Sequence, residues 1–203
     1  MLTKLAKALG LQPPKVSHAE QDLLRLALKG KCAGDRYYYN MEQAVFDSAM
    51  EGDEEEDFYH FHVRQRSIGV EAFRQEVAEE IRTLSGDQLH TIVQHHNYDS
   101  GLWLLAQIVA HPACEFATAL CIYWANQPCD YYARYGNFDR ACEDVDALSH
   151  ANGVLLKQIE HRTRLGTFAQ ALAVPDVSGF LDCRPDYSVK PLSDMPVALR
   201  VHC

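Results

Sequence analysis

Six side chains between residues 90 and 115 have types that could do acid–base chemistry or bind a metal ion. They are His90, His95, His96, Asp99, His111 and Glu115. Imidazoles and carboxylates transfer protons near neutral pH and are common metal ligands. Their spacing matches no motif of the HExxH type, and a chain with 10 histidines brings some together by chance. We therefore predict no metal site and no catalytic residue. A metal-dependent enzyme using His95, His96 and His111 is the weaker alternative.

The cysteines and glycines give no sign of nucleophilic or phosphate chemistry. The 7 cysteines are odd in number and include no CxxC pair, so they indicate neither a disulfide framework nor a zinc site. Cys114, Cys121 and Cys129 lie in apolar patterns, where cysteine is usually a small core residue. Neither a GxGxxG nor a GxxxxGK[ST] phosphate loop occurs. The sequence thus predicts no cofactor and a function other than catalysis.

An acidic run from residue 51 to residue 57 is the strongest functional signal in the sequence. Its charged members are Glu51, Asp53, Glu54, Glu55, Glu56 and Asp57. Without these six carboxylates the formal net charge would be −3 instead of −9. Such a run is usually a solvated loop, and we predict an acidic loop over 51–57. The charge disfavours nucleic acid and anionic membranes as direct partners.

Aromatic residues flank this acidic run and make a protein partner the better interpretation. Phe58 and Tyr59 follow it, and Tyr37 and Tyr38 precede it in the chain. Aromatic side chains supply contact area at interfaces, whereas clustered charge steers a partner of opposite sign. We predict that these residues and the acidic run together bind a protein with a basic surface.

Length and apolar content predict one domain, from 1 to 203. The chain has 203 residues, of which 47% are hydrophobic, enough for a single core. The apolar run from 102 to 110 is interrupted by Gln107 and is too short to span a bilayer. The N-terminal segment lacks the continuous apolar stretch of a signal peptide. We expect a cytoplasmic protein with no membrane partner, and the oligomeric state is left open.

Helical periodicity dominates the sequence as far as Gly166. Capping boxes are predicted at Ser17-Glu20, for a helix ending near Gly30, and at Ser85-Gln88. A second helix is expected from Asn40 to Met50, with Met41, Ala44 and Val45 facing inward. The most regular helix carries apolar residues at spacings of three or four: Val70, Phe73, Val77, Ile81 and Leu84.

The last third of the sequence predicts one long helix and then an irregular segment. Residues 138 to 165 favour a single or slightly broken helix, with Asn152-Gly153 as the alternative break. Four prolines and Gly179 interrupt residues 167–203, which we predict to be mostly irregular. The predicted fold is all-α, a compact bundle of about six to eight helices with an extended, proline-rich C-terminal tail.

A polar turn at 97–101 precedes a short apolar helix. Asn97, Asp99 or Ser100 could cap that helix, and Gly101 could take a backbone angle that other residues avoid. The alternative is an anion site at the helix N-terminus. Capping is the preferred interpretation because every helix start needs it.

This turn and the residues after it resemble a small bacterial domain of unknown function. The motif residues are Asn97, Tyr98, Asp99, Gly101, Cys114, Thr118 and Trp124, within a family-like core segment from 85 to 136. Tyr98 stands where the family commonly has tryptophan, and Glu115 where it usually has aspartate. The pattern is typical of packing and does not locate a binding surface.

The resemblance implies a function in bacterial competition. By gene context, proteins with this domain resemble immunity proteins, which bind and silence a co-encoded toxin. The whole chain resembles an immunity protein partnered to a type VI secretion effector, for example a nuclease. Carboxylates that mimic phosphates would fit the basic cleft of such a toxin. The alternative in the binding class is an adaptor or chaperone that loads the effector without inhibiting it.

Overall fold

The computed structural model describes residues 17–50, 56–98, 101–180 and 185–200. These ranges contain ten α-helices and no β-strand, which confirms the all-α prediction. The helices are α1 (His18–Gly34), α2 (Gln43–Met50), α3 (Glu56–Ile68), α4 (Val70–Ile81), α5 (Gly86–Gln94), α6 (Trp103–Ala110), α7 (Phe116–Ala125), α8 (Pro128–Tyr135), α9 (Phe138–Ala141) and α10 (Ala147–Leu165).

The first helix starts where the sequence predicts and ends later. The Ser17 hydroxyl accepts a hydrogen bond from the Glu20 amide at 3.2 Å, which caps the helix. The helix does not stop at Gly30 but continues to Gly34. A Cβ at Gly30 would lie 2.7 Å from a methyl carbon of Leu104, so this glycine lets α1 approach α6 closely. Gly30 therefore serves packing and does not end the helix.

Helix α3 was not predicted from the sequence. Its buried residues are Phe58, Phe61, His62 and Gln65, which share one helical face. Two of these four are polar, so they break the apolar pattern by which a buried face is recognised. Glu56 and Asp57, predicted to belong to the acidic loop, form the first turn of α3 instead. Acidic side chains are favourable there because the helix N-terminus carries partial positive charge.

The neighbouring helices confirm one prediction and correct another. In α4 the residues Val70, Phe73, Val77 and Ile81 are all buried, as their spacing predicts. The capping box at Ser85 and Gln88 is present at the start of α5. In α2, however, Phe46 and Met50 face the core, whereas Val45 is 52% exposed. The predicted inward face of α2 was therefore wrong, because it placed Val45 inside.

Helix α6 joins two groups of helices into one core. On one side α1 packs against α3, α4, α5 and α6, and on the other α10 packs against α6, α7 and α9. Leu104, Leu105, Ile108 and Val109 of α6 are all buried, as expected for a helix covered on most sides. A continuous cluster of buried apolar residues extends from Leu26 to Leu199. Among the described helices, none is both long and apolar enough to cross a bilayer.

Residues 138–165 form two helices, α9 and α10, separated by residues 142–146. The Asp146 carboxylate accepts a hydrogen bond from the Ser149 amide at 2.7 Å and caps α10. Asn152 and Gly153, the predicted alternative break, are buried inside α10. A Cβ at Gly153 would lie 2.8 Å from the Cβ of Ala141, so this glycine allows α10 to pack closely on α9.

The segment after α10 packs back on the helices through backbone and ring contacts. Gly166 ends α10 with a φ of 62°, a conformation that favours glycine. The Ala169 backbone pairs with Cys114 and Phe116 at the start of α7. Further along are three 3₁₀ turns: Ser178–Phe180, Leu192–Asp194 and Val197–Leu199. No α-helix forms around Phe168 to Ala173.

Candidate functional site

The start of α3 presents the described end of the acidic run. Glu51, Asp53, Glu54 and Glu55 lie outside the described residues. The Glu56 side chain is 91% exposed, with His60 one turn away at 3.4 Å. The Asp57 carboxylate is partly exposed and pairs with the Arg25 guanidinium of α1 at 2.9 Å. Glu56 therefore points into solvent, whereas Asp57 also ties α3 to α1.

Phe58 lies in the core and not on the surface. Its ring contacts the rings of Tyr38 and His62 at centroid distances of 5.8 Å and 4.5 Å. The Lys31 ammonium lies over the same ring at 4.8 Å. Phe58 is buried because it shares the inward face of α3 with Phe61. Its side chain is therefore not available to a partner of the folded protein, and it supports the surface from beneath.

The two candidate tyrosines before α2 have different positions. Tyr37 is 69% exposed and packs edge-on against Tyr38. Tyr38 is half-buried and contacts Phe58 beneath the start of α3. The Arg66 guanidinium of α3 donates hydrogen bonds to the carbonyls of Tyr38 and Met41, and so fixes this turn against α3. Tyr37 is thus an exposed aromatic on a fixed support.

Tyr59 adds a second exposed aromatic beside the acidic run. It is 36% exposed, and its ring stacks on Phe46 of α2 at 5.8 Å. Val63, one turn further along α3, and Val45, next to Phe46 in α2, are also exposed. Stacking on a buried ring restricts the Tyr59 side chain, so little entropy would be lost when a partner contacts it.

His90, His111 and Glu115 make hydrogen bonds within the local structure. His90 hydrogen-bonds the Thr118 hydroxyl at 3.0 Å, and His111 lies 3.2 Å from the Arg82 carbonyl. The Glu115 carboxylate accepts a hydrogen bond from the Ala171 amide at 2.8 Å. Asp99 lies outside the described residues. Across the ranges that can be described, no three histidine, cysteine or acidic residues are grouped to hold a metal ion.

Two of the predicted motif residues, Gly101 and Cys114, serve the turn and the core. Gly101 has a φ of 89°, the unusual backbone angle predicted for it. Helix α6 begins after Leu102, whose side chain makes no cap hydrogen bond, and the predicted caps Asp99 and Ser100 lie outside the described residues. Cys114 is fully buried, and burial raises the pKa of its thiol to about 12. Such a thiol forms little of the reactive thiolate near neutral pH.

Three further motif residues are held by hydrogen bonds and ring contacts. Thr118 is buried and pairs with His90. The Trp124 indole donates to the Leu199 carbonyl at 3.0 Å. The Tyr98 ring packs edge-on against His96 at 5.3 Å. These contacts hold α7 and the turn after α5, and agree with a packing role for the motif.

A buried polar network, centred on Glu160, was not predicted from the sequence. This carboxylate accepts hydrogen bonds from the Tyr123 hydroxyl at 2.8 Å and the Tyr132 hydroxyl at 2.5 Å. Arg164, one turn along α10, pairs with its second oxygen at 2.7 Å. Burial and the Glu160 charge raise the pKa values of both tyrosines, which keeps them protonated as donors. The signal for this network in the sequence is Glu160 itself, an acidic residue on the apolar face of α10.

Comparison with family models places these residues in a known domain family. Residues 85–163, from the capping residue of α5 to near the end of α10, match the model of a domain of unknown function, DUF4274. The match covers the predicted core segment 85–136 and continues through α9 into α10. Comparisons with curated proteins and with solved structures find no match. Residues 85–163 are thus similar to a DUF4274 domain, and the acidic run lies outside the match.

Proposed function

We propose that this protein is an immunity protein that binds and neutralises a co-encoded antibacterial toxin. The observation that carries the proposal is the exposed acidic and aromatic start of α3. Here Glu56 faces solvent directly after four further acidic residues, and Tyr59 stands beside it on a buried ring. This surface lies outside the matched domain, where a chain can carry specificity for its own partner.

The charge distribution supports a basic partner. Acidic residues on α4 have nearby basic residues: Glu71 pairs with Arg36, and Glu76 with Arg64. The acidic run has six carboxylates, and its described members contact only His60 and Arg25. Concentrated negative charge speeds association with a positively charged surface and weakens as salt rises. A nuclease with a basic substrate cleft fits this chemistry, and the acidic run would occupy that cleft.

The experiment combines binding with protection. The protein encoded beside this gene is co-expressed with the chain, and growth and complex formation are measured. We expect growth to be rescued and a complex to co-purify. A triple variant, E54Q/E55Q/E56Q, removes three charges with little change in side-chain shape. It should slow association about tenfold at low salt and less at high salt, because salt screens the steering charge.

A matched control separates a local effect from one of total charge. The variant E79Q/D87N/E143Q neutralises three exposed acids on α4, on α5 and after α9, and both variants have a net charge of −6 instead of −9. Equal slowing by the two variants would refute a specific role of the acidic run. Binding without growth rescue would refute inhibition and identify an adaptor or chaperone.

A further inference from the structure

An open groove of about 600 Å³ separates α1 from the turn that follows α5. We call it the α1 groove. Its lining includes Leu24, Arg25, Leu28, Lys31, Asp57 and His96. Leu24 and Leu28 contribute apolar groups to the lining, and Arg25, Lys31, Asp57 and His96 contribute charged and imidazole groups. Such a combination of an apolar surface with a few polar groups is typical of small-molecule sites.

The lining of the α1 groove includes a buried histidine, His96, that has one ring nitrogen unpaired in the part of the chain that the structure describes. His96 is 8% exposed, and within the described ranges its Nε2 makes no hydrogen bond. Burial lowers the pKa of His96. A hydrogen bond with the Gly101 backbone opposes that effect, and the Lys31 charge adds to it. A buried polar atom without a hydrogen bond costs about 1–3 kcal/mol, so a ligand that forms this hydrogen bond gains affinity.

Among the described residues that line the α1 groove, Arg25, Lys31 and Asp57 sum to a single positive charge when the two histidines are neutral. Arg25 is compensated by Asp57 at 2.9 Å. Lys31 lies over the Phe58 ring, and no carboxylate of the described residues pairs with it. When Nε2 is protonated, the His96 ring and the Lys31 ammonium both present N–H donors, which together are complementary to one oxyanion. A phosphate dianion fits less well, because Asp57 would repel its second charge.

We propose that the α1 groove binds a small amphiphilic monocarboxylate. The carboxylate accepts hydrogen bonds from the Lys31 ammonium and, after a small rotation of the ring, from the protonated Nε2 of His96. The short apolar chain lies along Leu24 and Leu28 of α1. This site does not depend on the immunity function, and its test needs no toxin.

The test uses hexanoate as the probe and NMR of the histidine rings as the readout. We expect saturable shifts of the His96 signals and a higher His96 pKa with bound hexanoate, because the carboxylate stabilises the imidazolium. His161, exposed on α10, serves as the internal control and should not respond. Hexanamide, which has the same shape without charge, should bind at least tenfold more weakly. Inorganic phosphate should also bind more weakly than hexanoate.

Two substitutions make the result decisive. Lys31→Gln should weaken hexanoate binding at least fivefold, and Lys31→Arg should largely retain it because the charge remains. Circular dichroism checks that both variants are folded. The proposal is overturned if His96 shows no saturable response, if hexanamide or phosphate binds as well as hexanoate, or if folded Lys31→Gln binds like the parent.

Discussion

Replacing Glu160 with glutamine should destabilise the protein by about 2–3 kcal/mol. The carboxylate is 4% exposed and accepts hydrogen bonds from hydroxyls of α7 and α8. Hydrogen bonds to a charged group contribute about 1.5–3 kcal/mol each, and those to a neutral amide less. The amide nitrogen would also face the Arg164 donors in place of an oxygen. Arg164 is half-exposed, so its lost ion pair adds little.

A double-mutant cycle isolates the contact with α8. Tyr132→Phe alone removes one donor and should cost about 1–2 kcal/mol, because Glu160 keeps its bond to Tyr123. In the E160Q background, Tyr132→Phe should cost less, because glutamine is a weaker acceptor than glutamate and its hydrogen bond with Tyr132 is already weaker. The coupling energy between the two sites should be about 1 kcal/mol, as for residues in one network.

Urea denaturation at pH 7 gives the free energy of unfolding of the parent, both single variants and the double variant. The denaturant dependence should be unchanged if only stability changes. Arg164→Gln is the control, and it should lower stability by less than E160Q because the hydroxyl contacts remain. A loss below about 0.5 kcal/mol for E160Q, or a coupling energy near zero, would refute the view that this network stabilises the domain.

Three further predictions concern packing, pH and thiol chemistry. Gly153→Ala should cost about 1–3 kcal/mol in thermal or urea unfolding, since the new Cβ would lie 2.8 Å from Ala141, and an unchanged midpoint would contradict close packing of α9 on α10. Burial lowers the pKa of His62 below 6.5, so the unfolded state binds more protons and stability should fall as pH drops below 6.5. His62→Leu should reduce this pH dependence, measured as the free energy of unfolding from pH 5 to 8. Cys114, with a pKa of about 12, should resist iodoacetamide at pH 8 in the folded protein and react after unfolding, as mass spectrometry would show.

The parts of the fold that could be predicted from sequence are those set by local pattern. Helix α4 shows an unbroken apolar stripe, and the cap at Ser85 needs only residues three positions apart. Helix α3 lacks such a pattern because His62 and Gln65 occupy buried positions. The Gln65 amide donates to the carbonyls of Cys32 and Asp35 at the end of α1, a contact that only the folded chain reveals.

The predictions at Gly30 and Gly153 were wrong for the same physical reason. Gly30 and Gly153 both resemble helix ends in sequence, since glycine is a poor helix former. Each lies inside a helix because a partner, Leu104 or Ala141, occupies the space of its missing side chain. Helix propensity is local, whereas the close approach of two helices depends on the whole fold.

For the candidate surface, sequence could place the acidic run but not the direction of its aromatic neighbours. Phe58 and Tyr59 are adjacent in sequence, yet the helical turn directs one into the core and leaves the other exposed. The assignment of both to the surface assumed a loop, in which either side chain could turn outward. Once the segment is a helix, the choice follows from the burial of Phe61 on the same face as Phe58.

Mutations should separate the stability of the matched domain from binding at the proposed partner surface. Asp57 is the exception. E160Q acts on α7, α8 and α10, and leaves the start of α3 unchanged, so affinity per folded molecule should not change. Among the described residues Glu56 contacts only His60, on its own helix, so its loss should weaken binding and lower stability only slightly, by about 0.3 kcal/mol from the helix N-terminus. Asp57 pairs with Arg25 of α1, across two helices. Replacing Asp57 with asparagine should therefore reduce both partner affinity and stability. The loss of stability should be less than about 1 kcal/mol because the ion pair is partly exposed.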